Sequence, residues 1–269
     1  MAHHRPRRAR RHPGAGDPGG RLDAARGALL IDADAKDGTP LRHPLKPPAI
    51  TGAENLYSLG EEISHAITHG LGALLSIAGL VILVAKATLY GDNWHIVAAS
   101  IFGSTLVLMY SASTLYHSIP SMLPRAKRVL RVLDHSLIYF LIAGTYTPFT
   151  LVTLRGPWGW GLFAFTWGLA LAGVVFKIFA TGRYEKVSLA IYLLMGWCAL
   201  VAVKPLLAAL PAGGLWLVLG GGLVYSGGVA FYTWTSLRYH HAVWHLFVLG
   251  GSVLHFFAVL LYVIPGANS

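Results

Sequence analysis

The chain has 269 residues, of which 55% are hydrophobic and 12% charged, about half the charged share of an ordinary soluble domain. Eight of the eleven acids lie at or before Glu62, and beyond Gly70 only Asp92, Asp134 and Glu185 remain, against eleven Lys and Arg, too few to clothe a soluble surface, which excludes a water-soluble enzyme. The net charge of +10 does not make it a nucleic-acid binder, because ten of the 21 bases sit in the first 46 residues and the others mark loops between apolar runs.

Residues 1–53 are rich in Arg, Pro, Gly and Ala, and such a segment cannot bury enough apolar surface to offset its ordering entropy. It is expected to be a disordered basic cytoplasmic tail. No apolar stretch of about 7–15 residues follows its arginines, so it does not read as a secretory signal. Residues 54–269 are expected to form one membrane domain. Seven apolar segments run over about 70–90, 94–117, 135–154, 158–180, 187–210, 214–236 and 241–264, each long enough to cross about 30 Å of hydrocarbon at 1.5 Å per residue. Backbone polar groups in lipid must be satisfied internally, and the runs lack the alternation of a barrel strand. The fold class is therefore an all-α integral membrane protein, a bundle of seven transmembrane helices. Tyr90, Trp94, Trp158, Trp160 and Trp216 near segment ends suit an aromatic belt. Gly168, Gly173, Gly220, Gly221, Gly222, Gly227 and Gly228 are read as sites of close helix approach. The lone Cys198 lies in an apolar run, which excludes a disulfide scaffold and a cysteine-rich metal site.

Loop charges set the orientation. Arg125, Lys127, Arg128, Arg131, Lys177, Arg183, Lys186 and Arg238 fall on one set of alternate loops, and Lys86, Arg155 and Lys204 on the other. The positive-inside rule then puts the N-terminus in the cytoplasm and the C-terminus outside. The chain is expected in the cell inner (plasma) membrane.

On that topology the second segment ends at His117, the third begins after Asp134, and the seventh begins with His241 and His245. These residues from three helices converge at one depth near the cytoplasmic face. His241 and His245 share a helix face at i, i+4 and suit one metal ion, with His117 as a third nitrogen ligand. Three histidines leave the fourth position of zinc open, as in catalytic sites. Asp134 is placed to bind the metal or to act on water beside it, and Ser113, one turn from His117, to orient water or a carbonyl. Plainer roles stand beside these: headgroup contacts for His241 and His245, a helix-dipole contact for His117, a cap for Asp134, a backbone hydrogen bond for Ser113. Glu61, Glu62, His65 and His69 either extend the polar site or form a solvated helix start. His255 is read as a hydrogen-bonded packing residue, His95 has no assigned role, and His135, about 100° round the helix from Asp134, is expected to face elsewhere.

Over residues 54–265 the chain resembles the hemolysin III family, the bacterial branch of the progestin and adipoQ receptor superfamily, grouped with the alkaline ceramidases. The resemblance rests on Glu62 with His69, Ser113-Thr114-Leu115-Tyr116-His117, Leu133-Asp134-His135-Ser136, Ala143 to Phe149, and His241-Ala242-Val243-Trp244-His245 with His255 downstream. It implies seven helices with a cytoplasmic N-terminus and zinc (Zn2+) held by His117, His241 and His245. It places Asp134 at the metal through water and Ser113 behind it. His65 stands where the family often has Asn. Metal-assisted hydrolysis of a lipid amide or ester entering from the bilayer is the activity implied, in a lipid hydrolase or a lipid-homeostasis protein. A receptor-like transducer with structural zinc and a pore-forming cytolysin are the alternatives. Membrane lipids are the expected partners, and nucleic acid is not.

Overall fold

The computed structural model of the chain describes residues 57–120 and 122–266, so the tail expected over 1–53 lies outside the described residues. Among the described residues seven helices are long and apolar enough to cross a membrane: α1 (Leu59–Tyr90), α2 (Asn93–Ser118), α3 (Pro124–Thr153), α4 (Pro157–Ala180), α5 (Glu185–Ala209), α6 (Ala212–Thr233) and α7 (His240–Tyr262). No strand occurs among the described residues. The all-α seven-helix membrane fold expected from the apolar runs is the one found.

Two helices start eleven residues before their apolar runs. α1 begins at Leu59 because Ser58 and Glu61 form a capping box: the Ser58 hydroxyl accepts from the Glu61 N–H, and Glu61 Oε2 accepts from the Ser58 N–H at 2.9 Å. At 32 residues α1 is about 48 Å long, well beyond a hydrocarbon core of about 30 Å, so its first three turns carry polar groups. α3 begins at Pro124, a residue suited to the first helical position, and most of the basic stretch assigned to a loop is helix.

Two helices are broken at prolines. α3 passes into a π turn over Phe149–Thr153 directly after Pro148, which cannot donate to the backbone ladder. α5 tightens into a 3-10 turn over Cys198–Ala202 just before Pro205, whose ring crowds the carbonyl one turn back. The Tyr146 hydroxyl staples this break, donating to the Gly196 carbonyl at 2.6 Å and accepting from the Ala199 N–H at 3.0 Å.

Chain neighbours α1–α2, α2–α3, α3–α4 and α6–α7 pack side by side, and α1 meets α7 to close the bundle. α2 and α3 are the most enclosed helices, with Phe102, Tyr110 and Tyr139 fully buried. α1 turns Leu71, Leu74, Ile77 and Val81 outward, as a lipid-facing helix does. Glycines set the α6–α7 approach: a Cβ at Gly221 would fall 2.6 Å from the His255 ring, and one at Gly228 2.6 Å from Phe247 Cβ. Gly168, expected to pack in the same way, has nothing within 4 Å of where its Cβ would lie.

Candidate metal centre

Four helix ends meet at one end of the bundle: the starts of α1, α3 and α7 and the finish of α2. Glu61, Glu62, Asp134 and Glu185 all lie there, and among the described acids only Asp92 lies at the other end. There Asp92 caps α2, accepting from the N–H groups of Trp94 and His95. The His95 ring beside it holds its carboxyl below the usual range.

His117, His241 and His245 each present a ring nitrogen within 4.8 Å of the other two. Neighbours fix two of the rings. Glu62 Oε2 lies 2.7 Å from His117 Nδ1 and accepts its proton, so His117 Nε2 keeps its lone pair; that atom is buried with no hydrogen-bond partner among the described residues. Thr68 Oγ1 lies 3.1 Å from His245 Nδ1. The Thr68 hydroxyl already donates to the Ser64 and His65 carbonyls, so it accepts from the ring and leaves His245 Nε2 unprotonated. His241 Nδ1 is buried and unpartnered among the described residues. Buried polar atoms without partners are costly, and a metal ion satisfies several at once. The donor set therefore fits a metal ion.

Glu62, His65 and His69, left open between site and solvated start, join the site. Glu62 also accepts from Lys127 Nζ at 2.9 Å, and Lys127 donates further to the Tyr116 and Ile119 carbonyls. The His65 ring centroid is 4.6 Å from that of His117 and 4.8 Å from that of His241, and Glu62, His65 and His117 form a second convergent group sharing His117. His69 stacks on His245 with centroids 3.4 Å apart.

Asp134 is buried and lines a cavity with His69, His241 and His245. It is in neither convergent group of ligand atoms, which places it beside the triad. Ser113, one turn before His117, is fully buried, and its Oγ has no partner among the described residues. His135 departs from expectation: it lines the same cavity as Asp134, with Nε2 3.9 Å from Asp134 Oδ2 and Nδ1 3.4 Å from Glu185 Oε2. The cavity is walled by α3, α5, α6 and α7, so a 100° arc of α3 still faces it. Glu185 is held in turn by Lys177 Nζ at 2.7 Å.

Sequence reasoning missed Tyr57, Thr68, Lys127 and Tyr239. Tyr57 lies over the cluster, its ring centroid 4.7 Å from His65 and 5.4 Å from His241, and burial pushes its hydroxyl up to about 12. Tyr239 enters α7 in the left-handed region at φ 59°, a strained setting for a non-glycine residue, and its N–H donates to Glu61 Oε1 at 3.3 Å. Its only sequence signal is its place before the paired histidines.

Fold and site together define a multi-pass membrane protein with a buried histidine and carboxylate cluster able to hold a metal ion. The family model described as Haemolysin-III related matches residues 57–256, and the chain belongs to that family. It is 51% identical to Hemolysin-3 of Bacillus cereus over 208 residues, 77% of this chain and 94% of that protein. It is 50% identical to the Hemolysin-3 homolog of Bacillus subtilis (strain 168), over 78% of this chain and 97% of the relative. A more distant relative is the Monocyte to macrophage differentiation factor of Homo sapiens, 28% identical over 76% of this chain and 84% of that protein.

Proposed function

We propose that this chain is a zinc-dependent hydrolase of lipid amides or esters in the cell inner (plasma) membrane, with its site toward the cytoplasm. The observation that carries the reading is the triad of His117, His241 and His245, with His117 Nε2 and His245 Nε2 left as lone pairs by Glu62 and Thr68. Three imidazoles suit zinc, whereas calcium and magnesium take oxygen ligands. The excess of bases at the same end of the bundle supports the cytoplasmic placement.

When bound, zinc supplies Lewis-acid polarisation of a carbonyl and lowers the pKa of water. Asp134, in the cavity beside the triad, acts as general base. It takes a proton from the attacking water and passes it to the leaving nitrogen or oxygen as the C–N or C–O bond breaks. Ser113 donates its free hydroxyl to the carbonyl oxygen. Glu62 and Thr68 hold the ring orientations, and Tyr57 shields the cluster from bulk water. The cavity continues away from Asp134 between Ile138, Leu141, Ile142, Leu189 and Leu193, an apolar path for a lipid tail.

The test is acyl release from a panel of lipid amides and esters by zinc-loaded protein in detergent, beside Asp134→Asn. The expected result is turnover that falls by about 10²–10⁴-fold in the variant while zinc is retained. No release from any lipid, or equal rates in the variant, overturns the reading. The name of the Bacillus relatives favours a second, membrane-lytic reading. It predicts liposome leakage that survives His241→Ala/His245→Ala.

A further inference from the structure

The apolar path does not end at mid-bundle. The first cavity, of about 140 Å³, runs from Asp134, His241 and His245 as far as Tyr146, Trp197 and His255. A second, of about 230 Å³, begins at those same three side chains and continues among Phe149, Leu154, Leu162, Leu206, Leu215 and Leu219. Both are lined mainly by apolar surface and are partly open, with Leu200, Leu207 and Leu219 exposed around the second, and such apolar space takes apolar guests.

The junction is built as a collar. Tyr146 from α3 is fixed to the broken backbone of α5 at Gly196 and Ala199. Trp197 from α5 donates its indole N–H to Ser226 Oγ on α6 at 3.0 Å. His255 from α7 has Nε2 3.1 Å from the Val218 carbonyl on α6. Each large ring is thus tied to a neighbouring helix. Gly196 and Gly222 also line both cavities. A Cβ at Gly196 meets nothing within 4 Å, and one at Gly222 meets only the Trp197 ring, at 3.7 Å. At these two positions the small residue leaves the passage open and is not demanded by packing.

We propose that this collar and the chamber behind it form an acyl-chain ruler: a straight acyl chain whose head lies at Asp134 threads between Gly196 and Gly222, and the second chamber selects for its length. The inference deepens the hydrolase reading and rests on it for the position of the head. From Asp134 to Tyr146 is twelve residues of α3, or about 18 Å, at 1.5 Å per residue. An extended chain of C–C bonds advances about 1.25 Å per carbon, so the collar falls near the fourteenth carbon. Shorter chains stop before it and longer ones enter the second chamber.

The experiment measures binding of free saturated fatty acids of 8 to 20 carbons to delipidated full-length protein in detergent, by displacement of a fluorescent fatty acid. Wild type is compared with Gly222→Leu and Gly196→Leu, which close the passage from different helices. In the wild type, affinity is expected to keep rising through 18 carbons. In the variants it should match wild type up to about 12 carbons and stop rising near 14. Each methylene past the collar is worth about fourfold, so an 18-carbon chain should lose more than about 100-fold. A wild type that binds no fatty acid or whose affinity stops rising at 14 carbons overturns the ruler, as does a folded variant with the wild-type length profile. The wild-type profile decides the matter if neither variant folds. Binding needs no turnover, so the two readings fail separately. A length break without lipid hydrolysis sinks the hydrolase and keeps the ruler, and hydrolysis with no effect of the collar does the reverse.

Discussion

Glu62→Gln tests the architecture behind the triad with little steric change. Glu62 Oε2 fixes the His117 tautomer at 2.7 Å while Oε1 pairs with Lys127 Nζ at 2.9 Å. A glutamine keeps the shape and one acceptor oxygen, and loses the charge that strengthens both bonds. Removing a carboxylate that orients a metal-bound histidine lowers metal affinity by about 10–100-fold, or roughly 1.4–2.7 kcal/mol. Folding should survive, because Lys127 keeps the Tyr116 and Ile119 carbonyls. Glu62→Ala is harsher: it leaves the ammonium of Lys127, 6% exposed, without its counter-charge, at a cost of about 3–5 kcal/mol for a broken buried pair, less to the extent that water reaches Glu62. The assay is zinc affinity by competition with a chelator, alongside the Tm of the metal-free protein. Zinc affinity within twofold of wild type in Glu62→Gln would refute the claim that Glu62 orients a ligand.

Three further outcomes follow. Tyr57→Ala should open the cluster and speed zinc loss to an external chelator, while Tyr57→Phe keeps the ring contacts and the wild-type rate; equal rates in all three would remove Tyr57 as a cover. Gly228→Leu should lower Tm by several degrees without changing the metal site, since its Cβ would lie 2.6 Å from Phe247 and 2.8 Å from Trp244; an unchanged Tm would contradict the close α6–α7 approach. Tyr146→Phe should cost about 1–3 kcal/mol by leaving the Ala199 N–H and the Gly196 carbonyl unpaired at the α5 break; a neutral effect on thermal unfolding would show that the break does not depend on the staple.

The fold was legible because a membrane imposes one rule: runs of about 20 apolar residues are helices. The convergence of His117, His241 and His245 was legible because alternate loops alternate sides, and Asp134 lines the cavity beside them. The starts of α1 and α3 were not, because apolar run length is blind to amphipathic turns. The Ser58–Glu61 capping box and Pro124 were nonetheless present as signals. Pro148 and Pro205 were visible too, but whether such a residue produces a π turn or a 3-10 turn is decided by the helices packed against it. Lys127 read as a topology marker because charge counting cannot tell a solvated base from one folded back onto Glu62. His135 was misplaced for a related reason: helical angle predicts direction, while the breadth of the cavity walled by α3, α5, α6 and α7 decides what that direction meets.

The most direct test of the central claim is the metal content of the detergent-purified wild type beside His241→Ala/His245→Ala, with folding of both checked by thermal unfolding. The account predicts about one zinc per wild-type chain and none in the variant, because two of the three ligands are gone. A folded wild type without metal, or zinc retained in full by the variant, would contradict it.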